Sequence, residues 1–242
     1  MRLDKLLAHA GLGTRRQVKK MIQAGTVEID QEVIKDPAFQ VDPKLVDITC
    51  EGQAVHYQQY YYLMLNKPAG IVSATEDHYY ETVIDWVAAD YSHVDLFPVG
   101  RLDRDTTGLL LLTNHGQLAH QLLSPKQEIG KVYRAWVQGR VEANVITAFA
   151  DGIDLGDFIT LPAQLSIINY DPAQDRTYIE VEIYEGKFHQ VKRMFSAFDH
   201  QVVTLQRIQM GPIVLDPNLA LGQYRPLKPE EMQQLKPFGL IE

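Results

Sequence analysis

The segment GRLDRDTTGLLLLTNHG, residues 100–116, places two carboxylates and two guanidiniums directly before a run of four leucines. Such an apolar run predicts a strand that is buried on both faces. The charged residues before it then form the loop that leads into the core. On an extended segment Asp103 and Asp105 point to the same face. Their like charges repel each other unless the flanking Arg101 and Arg104 compensate. Two interpretations are open: a carboxylate acts in catalysis, or aspartate and threonine side chains satisfy backbone donors in a turn.

The composition excludes several classes of protein. Cys50 is the only cysteine, which rules out an intramolecular disulfide and a zinc site built from thiolates, and favours a reducing compartment. The first residues, MRLDKLLAHAGLGTRR, carry charge throughout, unlike a signal peptide, and no apolar run is long enough to cross a bilayer. We therefore expect a cytoplasmic protein that does not bind membranes, with room for one large domain and a small one in its 242 residues.

The net charge of −8 is unevenly distributed along the chain. Residues 1–59 hold 8 basic and 8 acidic side chains, so residues 60–242 carry the whole deficit, with the remaining 15 basic against 23 acidic. Within residues 1–24 the only acidic residue is Asp4, and it faces six basic ones: Arg2, Lys5, Arg15, Arg16, Lys19 and Lys20. An acidic total can therefore conceal a basic surface that binds nucleic acid.

The basic residues follow a helical spacing. Thr14 and Gln17 form a capping-box pattern and Gly25 is a C-terminal stop, which together predict a helix over residues 15–24. At about 100° per residue, one face carries four cations and the other is apolar. The cationic face, which we call the basic face, consists of Arg15, Arg16, Lys19 and Lys20. It either binds phosphates or is simply solvated.

The remaining pattern mixes helices and strands without a regular βαβ rhythm. Strands are predicted in YYYLMLNK (60–67), GLLLLT (108–113), KVYRAWVQ (131–138), RTYIEVEIYEG (176–186) and VVTLQRIQMG (202–211). Helices are predicted over 81–89, 142–150 and 188–198, and after Asn114 as the N-cap of a helix that carries Leu118, Leu122 and Leu123. These elements predict an α+β protein. A small α/β domain of two helices and a small sheet, residues 1–59, precedes a domain of residues 60–242 on a mixed, largely antiparallel β-sheet.

Several chemistries lack the residues they require. No glycine-rich phosphate loop precedes a helix, and His115 and His120 are five residues apart, so they lie on different helix faces and do not have zincin spacing. We therefore expect no nucleotide, no metal and no other cofactor. A carboxylate acting from the loop of residues 101–106 is the remaining candidate chemistry.

Residues 1–30, MRLDKLLAHAGLGTRRQVKKMIQAGTVEID, resemble the alpha-L RNA-binding domain, a module of a small-subunit ribosomal protein and of several RNA-modifying enzymes. In that family the second helix and the following loop bind structured RNA. The resemblance implies that the basic face, together with Arg2, contacts RNA.

The stretch GRLDRDTTGLLLLT is similar to the signature of the pseudouridine synthases, which detach uracil from ribose and reattach it through carbon five. The resemblance implies that the aspartate of the RLD triplet, Asp103, is catalytic and that Asp105 is a local structural residue. LNKPAG (65–70) resembles the family's first motif, in which the lysine and proline shape the cleft. KVY resembles the segment whose tyrosine, Tyr133, lies against the target base. EGKFHQVKRM (185–194) resembles the last motif, whose basic residue, Lys192, pairs with the catalytic aspartate.

Helical spacing supports the assignment of Lys192 independently. If residues 188–198 are helical, one apolar stripe forms from Phe188, Val191, Met194, Phe195 and Phe198. Lys192 lies at the edge of that stripe, within reach of a cleft carboxylate, whereas Arg193 points away. The alternative is a surface lysine whose stem packs on the stripe while its ammonium remains in water. Further RNA contacts are predicted at Lys67, Arg101 and Arg193.

FHQVKRM after an alpha-L domain most resembles the RsuA type, the branch that modifies small-subunit (16S) ribosomal RNA. His115 and Phe188 depart from the family pattern, where an acidic residue and a tyrosine are common. The resemblance implies an isomerase that acts without cofactor on ribosomal RNA, in an assembly intermediate of the small subunit, and we expect a monomer. Asp103 would attack the sugar or remove a ribose proton. The alternatives are a large-subunit (23S) rRNA synthase, a non-catalytic ribosome-assembly factor, and a hydrolase that uses both Asp103 and Asp105.

Overall fold

The computed structural model describes residues 1–240, and contacts between Cα atoms divide the chain into two units. The first unit consists of residues 1–61 and 88–96, and the second consists of residues 62–87 together with those from 97 onward. Within the described residues no helix combines the length and the apolar character needed to span a bilayer.

The first unit contains two helices and a small antiparallel sheet. The helices are α1 (Leu3–His9) and α2 (Arg15–Ala24), and the strands are β1 (Val27–Ile29), β2 (Glu32–Val33), β3 (Ile48–Cys50) and β4 (Gln53–Ala54), in the order β2-β1-β3-β4. One apolar core holds the unit together, and its fully buried members are Leu3, Leu6, Leu7, Val18, Ile22 and Val27.

Helix α2 has the predicted limits and the predicted caps. The Gln17 amide donates to Thr14 Oγ1 and the Thr14 amide donates to Gln17 Oε1, at 3.3 and 2.8 Å, while Gly25 ends the helix in the left-handed region at φ 79°. Val18 and Ile22 are buried, and all four residues of the basic face are exposed. The helix therefore packs through one face and presents its cations to solvent.

The second unit is built on one large sheet. Its strands are β5 (Tyr62–Lys67), β6 (Phe97–Pro98), β7 (Thr107–Thr113), β8 (Lys131–Gln138), β9 (Gln164–Asp171), β10 (Arg176–Ile183), β11 (Val202–Met210), β12 (Ile213–Val214) and β13 (Tyr224–Pro226). The main path runs β13-β5-β7-β11-β8-β10-β9, with β6 paired to β7 and β12 to β11. Among these strands of residues 62–240 only the β7–β11 pair is parallel, so the predicted mixed, largely antiparallel sheet is confirmed.

Helices flank these strands in sequence: α3 (Val83–Tyr91), α4 (Gly116–Leu123), α5 (Ala143–Asp151), α6 (Gln190–Ser196) and α7 (Pro229–Leu235). The leucines of β7 are at most 4% exposed, as predicted for a strand buried on both faces. The N-cap of α4 is His115 and not the predicted Asn114, and Leu123 on that helix is exposed. His115 is buried and its Nδ1 lies 2.9 Å from the hydroxyl of Tyr62 on β5, a contact between distant residues that no local pattern reveals.

Helix α6 is shorter than predicted. It begins at Gln190, and Phe188, placed by the sequence on the buried stripe, lies outside the helix and is 75% exposed. The residue between them, His189, has φ 51°, in the left-handed region, which prevents the helix from extending backwards. Val191, Met194 and Phe195 are buried as predicted.

Candidate active site

Lys67, the last residue of β5, fixes the loop of residues 101–106. Its side chain is fully buried, and its ammonium lies 3.0–3.2 Å from four backbone carbonyl oxygens, those of Pro68, Asp103, Arg104 and Thr106. Burial lowers the pKa of Lys67 to about 8. The prediction that Lys67 contacts RNA is therefore wrong, because its ammonium is enclosed by the loop that carries Asp103 and does not reach solvent.

Lys192 brings the two loop carboxylates together. Its Nζ lies 2.9 Å from Asp103 Oδ2 and 2.7 Å from Asp105 Oδ1. The Lys192 and Asp103 side chains are 22% and 28% exposed, whereas that of Asp105 is 74% exposed. Asp105, which the resemblance made a local structural residue, therefore binds the same ammonium as Asp103 from the solvent side of the pair.

The charges of this triad stabilise each other. The hydrogen bond from Lys192 holds the pKa of Asp105 below its usual value. Partial burial opposes the charge on Lys192, but hydrogen bonds to Asp105 and Asp103 outweigh it, and the pKa of the ammonium lies above its usual value. Lys192 is therefore a cation held beside Asp103, not a surface lysine whose ammonium lies free in water.

His189, which was not predicted as a site residue, faces the other oxygen of Asp103. Its Nε2 lies 3.7 Å from Asp103 Oδ1, and its ring stacks on that of Phe188 with centroids 3.8 Å apart. Residues three apart at a helix start share a side, so the spacing of His189 and Lys192 was the available signal. Asp103 thus lies between an ammonium and an imidazole.

Tyr133 on β8 borders the cleft that contains Asp103. Its side chain is buried, and the cleft beside it has a mixed lining, with apolar side chains such as Ile183 and Leu205 and polar ones such as Thr106 and His189. An aromatic ring and apolar side chains in one cleft with a carboxylate suit a planar base whose sugar must reach the carboxylate. The structure therefore brings together all three predicted catalytic residues, Asp103, Tyr133 and Lys192.

Gly108 allows β7 to approach β11 behind this loop. Its φ is +99°, and a Cβ at this position would collide with the backbone carbonyl oxygen of Arg207. Arg207 is paired with Tyr133 in the β8–β11 register, is itself buried, and donates from Nε to the Leu109 carbonyl at 2.8 Å. The glycine after the two threonines is therefore required by a close backbone contact.

The predicted RNA contacts of the first unit divide into two groups. Three are exposed and form no ion pair with any residue between 1 and 240: Arg15, Arg16 and Lys20. Arg2 donates two hydrogen bonds to Asp4, at 3.0 and 2.9 Å, and Lys19 Nζ lies 3.8 Å from the same carboxylate. Asp4 therefore offsets part of the local positive charge, and the first three cations remain unneutralised.

Arg101 and Arg193, the other predicted RNA contacts, differ in their surroundings. Arg101 is exposed, borders the cleft beside Asp103, and has no ion pair in the described part of the chain. Arg193 pairs with Asp157 and donates to the Leu155 carbonyl at 3.1 Å. Arg193 does not border the cleft, which agrees with the prediction from helical spacing that it points away.

Known proteins resemble this chain over nearly its whole length. Residues 61–197 match the RNA pseudouridylate synthase family, and residues 1–47 match the S4 domain. The chain is 45% identical to the Bacillus subtilis protein named uncharacterized RNA pseudouridine synthase YtzG, over 97% of this chain and 98% of the relative. It is 39% identical to the ribosomal small subunit pseudouridine synthase A of Vibrio cholerae, over 97% and 99%.

A solved pseudouridylate synthase has the same fold. It superposes with a TM-score of 0.67 at 38% sequence identity, and the match covers 97% of this chain and 99% of that one. The predicted RNA-binding module and the predicted catalytic family are both confirmed. The chain belongs to the RNA pseudouridylate synthase family, whose members are isomerases that act on RNA, and it carries an N-terminal S4 domain.

Proposed function

We propose that this protein converts one uridine of small-subunit (16S) ribosomal RNA to pseudouridine, with residues 1–59 binding the RNA and residues 60–242 carrying out the reaction. The observation that carries the proposal is the contact of Lys192 with Asp103 in a cleft bordered by Tyr133. The small-subunit substrate is supported by the name of the Vibrio cholerae relative. One chain supplies all three side chains, in keeping with action as a monomer.

The proposed reaction begins with extrusion of the uridine from its stack. Unstacking costs a few kcal/mol, and stacking on an aromatic ring such as Tyr133 returns about 1–3 kcal/mol. Asp103 then acts at the sugar, either by attack on the anomeric carbon or by removal of a ribose proton. Both routes require an ionised carboxylate, and Lys192 places its ammonium 2.9 Å from Asp103 Oδ2.

The remaining steps rearrange bonds within the same nucleotide. The bond between N1 of uracil and the anomeric carbon breaks, the base rotates in the cleft, and carbon five bonds to the sugar. The proton of carbon five leaves and N1 gains one, so substrate and product have the same atoms and no co-substrate is consumed. The Tyr133 ring and the apolar side chains of the cleft hold the detached base by stacking and contact, which permits rotation.

Mapping pseudouridines in ribosomal RNA tests the proposal directly. RNA from cells that lack the protein should lose one pseudouridine in 16S rRNA, and the native gene or its Asp105→Asn variant should restore it. The Asp103→Asn variant should not. A pseudouridine lost from 23S rRNA instead would reassign the substrate, and an unchanged map of both RNAs would refute catalysis on ribosomal RNA.

A further inference from the structure

Next to Asp103, an exposed arginine stacks on an exposed tyrosine. The guanidinium carbon of Arg104 lies 4.3 Å from the centre of the Tyr80 ring, which is 46% exposed. Arg104 is itself exposed and forms no ion pair with any residue between 1 and 240. A planar cation therefore lies against an aromatic ring with its charge uncompensated, at the surface of an otherwise acidic unit. We call Tyr80 and Arg104 the stacking pair.

Backbone contacts hold both members of the stacking pair in place. The Arg104 carbonyl accepts hydrogen bonds from the Gly70 amide at 2.8 Å and from Lys67 Nζ at 3.2 Å. On the other side, Asp77 Oδ1 accepts the amides of Tyr79 and Tyr80 at 2.8 and 2.9 Å. The backbone of both residues is therefore preorganised, which lowers the entropy lost when a ligand binds.

The stacking pair lies beside the reacting group but outside its cleft. Adjacent Cα atoms are about 3.8 Å apart, so the Arg104 backbone is one residue from Asp103. Asp103 and Asp105 both reach Lys192, whereas Arg104 between them turns to Tyr80. A nucleotide adjacent to a uridine held at Asp103 is therefore within reach of the stacking pair.

We propose that the stacking pair binds the base of a nucleotide adjacent to the target uridine, with the guanidinium plane stacked on that base. Guanidinium planes and aromatic rings both stack unpaired RNA bases, and the positive charge attracts the neighbouring phosphate. Stacking of this kind tolerates any base, so the subsite selects an unpaired adjacent nucleotide and does not distinguish among the four bases. The proposal rests on the proposed function for the position of the uridine.

The experiment is a cycle that removes the arginine and the base separately. The substrates are short single-stranded RNAs that span the mapped uridine, made intact and with an abasic nucleotide on its 5′ or 3′ side. The proteins are the native chain, Arg104→Ala and Arg104→Lys, which keeps the charge but not the plane. The values of kcat/KM are compared across the cycle.

We expect one of the two abasic positions to lower kcat/KM of the native chain by about 5- to 150-fold, the range for stacking on one base. In Arg104→Ala the same abasic nucleotide should cost less than about twofold, because the partner is already missing. Arg104→Lys should behave like Arg104→Ala in this cycle. The loss should lie mainly in KM, since a flanking contact is made equally in substrate and transition state.

A matched control exists at the far end of the sheet. Arg140 lies over the Tyr170 ring at 5.5 Å. Five residues of β8 lead from Tyr133 to the end of the strand at Gln138, about 17 Å at the usual rise, and Arg140 follows two residues later. Arg140→Ala should leave kcat/KM unchanged on every RNA.

Two outcomes would overturn the proposal while the proposed function survives. If neither abasic nucleotide affects the native chain, no base stacks there. If Arg104→Ala loses the same activity on intact and abasic RNA, the arginine only stiffens the loop.

Binding of an oligouridylate heptamer gives a readout that does not depend on the mapped site: Arg104→Ala should weaken it and Arg140→Ala should not. Heptamer binding that depends on Arg104, together with an unchanged pseudouridine map, would refute the proposed function alone.

Discussion

Replacing Asp105 with asparagine separates the two carboxylates that share Lys192. Both lie within 2.9 Å of the same ammonium, yet the Asp105 side chain is 74% exposed and that of Asp103 is 28% exposed. An exposed ion pair contributes about 0–1 kcal/mol after screening by solvent, which corresponds to no more than about fivefold in rate. We therefore expect Asp105→Asn to keep kcat within about fivefold of the native value. Asp103→Asn removes the group that we propose acts at the sugar and should cost at least about 100-fold.

Release of tritium from RNA labelled at carbon five of uridine measures the reaction, because that hydrogen leaves when the new bond forms. Thermal unfolding of both variants checks that each is folded, and RNA binding should be nearly native in both. Equal, large losses in the two variants would favour the two-carboxylate chemistry of a hydrolase. Turnover by Asp103→Asn within tenfold of native would refute the assignment of the catalytic residue.

Four further predictions follow from individual contacts. Tyr133→Phe should retain far more activity than Tyr133→Ala if the ring stacks on the base, and equal loss in both would show that the hydroxyl takes part in the chemistry. Gly108→Ala should lower the melting temperature severely, because its Cβ meets a backbone carbonyl, whereas Gly116→Ala, with nothing within 4 Å, should not. Since burial lowers the pKa of Lys67 from 10.5 to about 8, the unfolded chain binds the extra proton between these values. The free energy of unfolding should therefore gain up to about 3 kcal/mol from Lys67 as pH rises through that window, and Lys67→Met should lack the gain in denaturant titrations. Removing the whole basic face should flatten log affinity for RNA against log salt by about 0.7–0.9 per lost phosphate contact, with kcat at saturating RNA unchanged, and an unaltered slope would mean that this face is only solvated. The variant replaces Arg15, Arg16, Lys19 and Lys20.

Helix α2 shows which features could be predicted from local sequence. Its start depends on Thr14 and Gln17, which bond each other, and its end depends on Gly25, which alone among these residues adopts the left-handed region without strain. Every determinant lies within twelve residues. The buried strand β7 could be predicted for a similar reason, since its leucines are contiguous in the chain.

The features that could not be predicted depend on contacts between distant residues. Lys67 looks like a surface cation, and only the fold brings four carbonyl oxygens around its ammonium. Phe188 fits a helical stripe, but the backbone of His189 ends the helix before it. Strand β9 was not predicted because most of its residues are exposed, so it lacks the apolar alternation of a half-buried strand. In each case the local sequence pattern either carried no information about the tertiary contact or was overridden by it.

In the loop of residues 101–106, successive side chains point in different directions because they bind partners from different parts of the chain. Asp103 and Asp105 turn to Lys192 in α6, and Arg104 between them turns to Tyr80 in the loop before α3. The backbone of the same segment is held by the end of β5 and pressed against β11. Four separated segments thus determine the position of one short loop. A change in any of them should displace the carboxylate, and small displacements are costly because a reacting group must be held within about 0.5 Å of its productive position. The charged residues and threonines before the leucines therefore contact the sheet, α6 and the loop before α3. These contacts together hold Asp103 in place.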